Sequence, residues 1–477
     1  MPRIEKLNRF SFVVVGLVSF LVRISLGSFP DATANLIAAL VFIVLLWVFE
    51  IVPIAITALM PVLLFPGLGI LNLKDTVERY SHPIMFLFLG GFSLALAVEK
   101  SGLHRRFAFY VLTFSSPRLG LIIATFMGVT AFLSMWISNS ATAIMMLPVA
   151  LAVCEVIDKQ LPEKCVNRFR SALMLSIAYS ANIGGVATLI GSPPNALYAA
   201  FMKNFSNTNV TFLDWMFVGL PVSLVLLPFA WFLLTKILYP MPLINVAESR
   251  DVFKSELKAL GKLTSFEMRV GFVFLLTVFL WLLHPLMISF FGGNTKIDDS
   301  QIAIAAMVSL FLIPRESGST ERLIGWKVMR DIPWEILLLF GGGLAIAHAI
   351  GTISMAGYLS QWAHQFKDIP LFVLIVGLSL IILFMTEITS NTATAAVFLP
   401  IASSLAAASG LPTQAFVLPV ALASSCAFML PIATPPNAIV YGTGAFTMGQ
   451  MAKAGLALNI VSALVIASLT MVFIKFV

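Results

Sequence analysis

Charge is what this chain lacks. Of its 477 residues only 29 are Lys or Arg and 22 Asp or Glu, 11% in all, against about 25% in an ordinary soluble domain. That scarcity excludes a typical soluble enzyme. Cysteine is also scarce: Cys154, Cys165 and Cys426 form no CxxC or other metal-ligand spacing, so neither a disulfide scaffold nor a zinc site is expected. The five histidines and few carboxylates form no cluster, and no nucleophile with a partnering base stands out, which argues against an enzyme. The net charge of +7 is not gathered into a basic run interleaved with aromatics. It points to loop orientation and not to a nucleic-acid partner.

What the chain has instead is apolar residues, 59% of the total, with a mean hydropathy of +0.99. At roughly 20 residues per bilayer-spanning helix, that stock sets a ceiling of about 14 spans. The expected class is an all-α polytopic membrane protein whose partner is the lipid bilayer. Simple spans are expected over 9–28, 33–50, 53–71, 83–100, 213–239, 268–291, 299–314, 334–352 and 452–475. The first, behind Arg3, Lys6 and Arg9, reads as a retained helix and not a cleaved leader. Two longer stretches, 171–202 and 413–446, are broken near the middle by Pro-Pro. The paired apolar arms 118–137/141–157 and 370–389/393–409 each flank a polar cluster, the pattern of a re-entrant hairpin. The count is about eleven transmembrane helices and two hairpins.

Charge tests that count independently of hydropathy. With the N-terminus inside, 22 of the 29 basic residues fall on the inner side and seven on the outer. The positive-inside rule expects such a split. The chain then divides into an N-terminal helix (1–30), a first repeat (31–245, hairpin 118–157), a polar amphipathic connector (246–267) on the cytoplasmic side, and a second repeat (268–477, hairpin 370–409).

The repeat is visible in spacing. Gly90-Gly91 opens 48 residues before Ser138, and Gly341-Gly342 opens 49 before Ser390. Ser134–Ala143 reads S-M-W-I-S-N-S-A-T-A and Thr386–Ala395 reads T-E-I-T-S-N-T-A-T-A. G-S-P-P-N (Gly191–Asn195) and A-T-P-P-N (Ala433–Asn437) follow. Segment 100–118 carries Lys100, Arg105, Arg106 and Arg118, whereas its counterpart 351–368 carries only Lys367. The hairpins therefore enter from opposite faces as inverted-topology repeats, with polar tips meeting near the midplane.

A tip inside the bilayer leaves backbone N–H groups at the start of its second arm and carbonyls at the end of its first without helical partners. The N–H groups with the hydroxyls of Ser140 and Thr392 suit an anion, and the carbonyls with Asn and Ser/Thr oxygens suit Na⁺. No Lys or Arg lies near either tip. An anion held there without protein cations needs co-bound ones, and two facing anion sites fit a ligand with two carboxylates. Glu387, three residues before Ser390, is a candidate proton-coupling carboxylate, but Met135 takes its place in the first repeat.

At these motifs the chain resembles the divalent anion:sodium symporter family, over nearly its whole length. The resemblance implies Na⁺-coupled symport of C4-dicarboxylates such as succinate, malate and fumarate, with Na⁺ as coupling ion and no organic cofactor. It also implies an elevator-type homodimer in the inner (plasma) membrane. A Na⁺-independent exchanger of the same fold, or a carrier of citrate or another divalent anion, are the alternatives. By the same resemblance one Na⁺ site uses Ser134, Ser138, Asn139 and Gly191, and the other Thr386, Thr389, Asn391 and Ala433. Substrate meets Ser138, Asn139 and Ser140 on one side and Ser390, Asn391 and Thr392 on the other, with Thr434 and Pro435 near. Ser140 stands where the family usually has Thr.

Overall fold

The computed structural model describes residues 2–27, 29–206, 208–242, 244–246, 249–290, 297–353 and 369–474. Among them the only β-pairings are two isolated bridges, and the rest is helix and connection. Lys296, Lys367 and Lys475 of the charge count, and the part of the second hairpin's lead-in over 354–368, lie outside the described residues.

Helices α1 (Pro2–Ser25) and α2 (Asp31–Val48) pack together at the N-terminus. The expected span over 53–71 is not a single helix. It is split into α3 (Ile54–Thr57) and α4 (Met60–Gly67), with Pro61 in the first turn of α4, followed by α5 (Leu73–Glu78). Proline has no N–H to continue a helix across that point. Then come α6 (Pro83–Ser101), the short α7 (Leu103–Leu112), and the first pair of arms, α8 (Leu119–Ser134) and α9 (Asn139–Asp158). The first broken pair is α10 (Glu163–Val186) and α11 (Pro193–Ser206), and α12 (Phe212–Phe232) closes the half with a π-helical extension to Leu238. The connector carries α13 (Ser249–Ala259).

The second half runs α14 (Ser265–Phe290), α15 (Asp299–Leu312) and α16 (Trp334–Thr352). Its arms are α17 (Leu371–Thr386) and α18 (Asn391–Ser409), its broken pair α19 (Thr413–Ser424) and α20 (Pro435–Tyr441), and its last helix α21 (Met448–Phe473). Among the described residues eight helices are long and apolar enough to cross a bilayer. The entering arms α8 and α17 have 16 residues each, or about 24 Å of helix at 1.5 Å per residue, short of a hydrocarbon core of roughly 30 Å.

The glycine pairs explain how the halves interlock. A β-carbon on Gly90 would collide with the backbone of Ala303, so α6 lies directly against α15. A β-carbon on Gly341 would strike the ring of Tyr80, whose hydroxyl donates to Ala58 O at 2.5 Å. Small residues let helix backbones approach in this way. Between these contacts the rings of Phe88 and Phe340 meet edge to face at 5.1 Å. At one end of the bundle the connector is clamped to α7. Arg106 pairs with Glu267 at 2.7 Å and donates to the carbonyls of Leu260, Gly261 and Lys262, in the turn that follows α13.

Candidate functional site

Both polar tips open into one cavity of about 1470 Å³. Ser138, Asn139 and Ser140 line it from the first tip, and Thr389, Ser390, Asn391 and Thr392 from the second. Gly191, Ser192, Ala433, Thr434 and Pro435 line it from the two breaks. Every residue expected to face substrate is therefore brought to one space. Its rim includes Lys100, Arg105, Glu256 and Asp331, at the end of the bundle where the connector sits. At the other end Lys203 of α11 pairs with Asp298, the N-cap of α15, at 3.6 Å. Burial alone would raise the Asp298 carboxyl, but the Ser300 N–H and hydroxyl and the Lys203 ammonium outweigh it and hold it below the usual aspartate range.

Each tip contains the same oxygen cluster. Ser134 Oγ lies 2.6 Å from Asn139 Oδ1 and 2.7 Å from Ala181 O. Thr386 Oγ1 lies 2.7 Å from Asn391 Oδ1 and 3.0 Å from Ser424 O. A hydroxyl has one proton to donate, so each cluster sets two acceptors against a single proton. Three neutral oxygens that converge in this way are the kind of ligand set a hard cation takes. No cluster of three His, Cys, Asp or Glu side chains suited to a metal occurs among the described residues. Gly185 makes room for the first cluster: a β-carbon there would lie 2.6 Å from Asn139 Oδ1 and 3.1 Å from Gly191 O. The Ser138 carbonyl accepts from the N–H and the hydroxyl of Thr142 and is not a partner of the cluster hydroxyl. Ala181 and Ser424 are the carbonyls at hand, and the sequence reading missed both.

The second arms present free helix N-termini. Ser138 caps α9 by accepting from Ala141 N at 3.2 Å, leaving the N–H groups of Asn139 and Ser140 without helical partners. Ser390 makes no side-chain cap, so α18 has one more uncapped N–H than α9. Thr389 instead bonds Met385 O and Thr394 Oγ1. Two helix N-termini on one cavity form a place for two anionic groups.

The breaks are held by their asparagines. Asn195 Nδ2 donates to Gly185 O at 2.9 Å and Thr188 O at 2.7 Å, satisfying carbonyls where α10 ends. Asn437 Nδ2 does the same for Ala427 O and Leu430 O. The two breaks are also bonded to each other. Asn182 Nδ2 reaches Thr434 Oγ1 at 3.1 Å, and Ser425 Oγ reaches Ser192 Oγ at 2.9 Å. Asn182 and Ser425 each follow the carbonyl of their own cluster by one residue, and each bonds the residue before Pro-Pro in the other repeat.

Glu387, the candidate proton-coupling carboxylate, is hydrogen-bonded to four donors. Its carboxylate accepts from the N–H groups of Phe428, Met429 and Leu430 at 2.7, 2.9 and 2.9 Å, and from Asn459 Nδ2 at 2.9 Å. All four partners are donors, the complement of an acceptor-only carboxylate. It is buried outside the cavity lining and supports the unwound stretch between α19 and α20.

Comparison with known proteins places the chain in a family. A family profile described as the sodium:sulfate symporter transmembrane region matches residues 4–477. The sodium-dependent dicarboxylate transporter SdcS of Staphylococcus saprophyticus is 36% identical over 441 residues, 91% of this chain and 85% of that one. SdcS of Staphylococcus aureus is 35% identical over 443 residues, 92% and 85% of the two chains. Among solved structures, the Alcanivorax borkumensis YdaH transporter aligns with a TM-score of 0.54 at 14% identity. It covers 85% of this chain and 89% of that one, a likeness of fold.

Proposed function

The chain belongs to the sodium:sulfate symporter family, and from that premise we propose that it is a secondary active transporter coupling Na⁺ entry to uptake of C4-dicarboxylates. It is a transporter and not an enzyme. The observation that carries the reading is the duplicated cluster of hydroxyl, amide and carbonyl oxygens, one at each tip of a single cavity. In this proposal Na⁺ sits among Ser134, Asn139 and Ala181 O, near Ser138 and Gly191. A second Na⁺ sits among Thr386, Asn391 and Ser424 O, near Thr389 and Ala433. Two cations beside two helix N-termini offset the charge of a dianion at tips whose own arms carry no Lys or Arg, the cavity's Lys100 and Arg105 coming from other segments. One carboxylate meets Asn139 and Ser140 with Ser138, and the other Asn391 and Thr392 with Ser390, while Thr434 and Pro435 close the side. Separate N-termini suit two carboxylates spaced along a carbon chain better than the single centre of sulfate.

The names of the staphylococcal relatives support both the ion and the substrate class. The protein would lie in the inner (plasma) membrane with its N-terminus cytoplasmic, as a homodimer whose site crosses by an elevator-like step. With the basic side inside, the cavity opens to the cytoplasm, and the Lys203–Asp298 pair lies toward the outer side. The test is a competition panel of sulfate, succinate, fumarate, malate and citrate with and without Na⁺. Na⁺-dependent competition strongest among the C4 acids is expected; sulfate prevailing, or no effect of Na⁺, would overturn the assignment.

A further inference from the structure

A second cavity, of about 550 Å³, lies between α7 and α13, apart from the central one. From α7 it is lined by Leu103, Phe107 and Tyr110, which share one helical stripe. From α13 it takes Leu257 and, one turn apart, Lys254 and Lys258. The opposite faces of the same two helices, through Arg105, Val252 and Glu256, line the central cavity. The helix pair is thus a wall between the two spaces.

The floor of this pocket is apolar and its rim cationic. Arg106 also borders it, but its guanidinium is spent on Glu267 and the end of α13, so it builds the pocket. The lysines are differently placed. Lys258 is exposed, and Lys254 approaches Asp251 only to 3.8 Å, with the two side chains 64% and 75% exposed. Their charge is weakly compensated. Beside the pocket Tyr110 and Phe114 are exposed and meet edge to face at 5.2 Å, an aromatic pair of the kind found at the boundary of a bilayer. Both segments lie on the side richest in Lys and Arg.

We propose that this pocket binds one anionic phospholipid, with its phosphate between Lys254 and Lys258 and an acyl chain along Leu103, Phe107, Tyr110 and Leu257. A soluble phosphate would use the lysines and leave the floor bare. A zwitterionic lipid would use the floor but bring its own ammonium to a cationic rim. The ligand's chemistry is set by both halves of the pocket together. The inference rests on membrane embedding and not on the identity of the cargo, so it stands or falls apart from the transport reading.

The test is native mass spectrometry of the full chain titrated with phosphatidylglycerol, phosphatidylcholine or glycerol phosphate, alongside thermal unfolding in each. The wild type is expected to retain one phosphatidylglycerol and to gain stability from it, with far weaker retention of the other two. The doubly substituted Lys254→Gln, Lys258→Gln chain is expected to bind phosphatidylglycerol about thirtyfold more weakly, at roughly fivefold per lysine. Lys254→Arg, Lys258→Arg is expected to keep it, which separates lost charge from lost folding. Equal retention by wild type and the Gln variant, or of phosphatidylglycerol and phosphatidylcholine, would overturn the proposal, as would glycerol phosphate binding as tightly as the lipid.

Discussion

The amide nitrogen of Asn182 lies 3.1 Å from the hydroxyl oxygen of Thr434, joining the first broken helix pair to the second at full burial. The same nitrogen also reaches Ala427 O and Asn437 Oδ1. Asn182 is in this sense a positioning residue: it holds Thr434 at the cavity wall and ties the two halves of the site together.

Asn182→Ala is expected to lower uptake sharply and to destabilise the protein by about 1–3 kcal/mol, the cost of buried acceptors left unpaired. Ser425→Ala, which removes a single hydroxyl contact, is expected to be milder in both. Thermal unfolding and uptake measured on the same preparations check the order. Equal effects of the two substitutions would contradict it.

Ser134→Ala and Thr386→Val each delete the hydroxyl at the centre of an oxygen cluster. The Na⁺ concentration for half-maximal uptake is expected to rise by about tenfold or more, corresponding to roughly 1.4 kcal/mol. Ser134→Thr and Thr386→Ser, which keep the hydroxyl, should stay near wild type. Uptake at saturating dicarboxylate across a Na⁺ series is the measurement. A change in substrate affinity alone would move these residues out of the cation site.

Gly185→Ala tests the first cluster without touching a polar group. The added carbon would lie 2.6 Å from Asn139 Oδ1, against a backbone and an amide packed by neighbours. Uptake is expected to fall more than about tenfold by displacement of that amide. Gly128→Ala, with nothing within 4 Å of the new carbon, should be near neutral.

Glu387→Gln keeps the shape but leaves the Leu430 N–H facing an amide N–H₂ or an equivalent mismatch at another donor. The expected loss is about 1–3 kcal/mol of stability. The pH profile of the residual uptake should match wild type, because the carboxylate braces a backbone segment. A profile that loses a pH-dependent limb would assign the carboxylate to proton coupling instead.

Much of this site was readable because it is written twice. The S-N tips and the P-P-N breaks recur at matched spacing, and matched side chains are what a sequence displays. Ala181 and Ser424 contribute carbonyls, which any residue supplies, so their identity carried no signal. Asn182 and Ser425 occupy corresponding places with different side chains, which hid their shared role. Three of the four partners of Glu387 are backbone N–H groups some forty residues away, and the fourth is the still more distant Asn459 amide, beyond any local pattern. The break in 53–71 was missed for another reason. Hydropathy weighs apolar content and ignores Pro61, whose missing donor ends one helix turn and begins the next.

In the proposed cycle, Na⁺ bound at the two oxygen clusters drives a dianion inward. Purified protein in proteoliposomes, given labelled succinate with and without an inward Na⁺ gradient, tests it most directly. Concentrative uptake that appears with the Na⁺ gradient and vanishes when K⁺ replaces Na⁺ is the expected result. Equal uptake with and without the gradient would contradict the account.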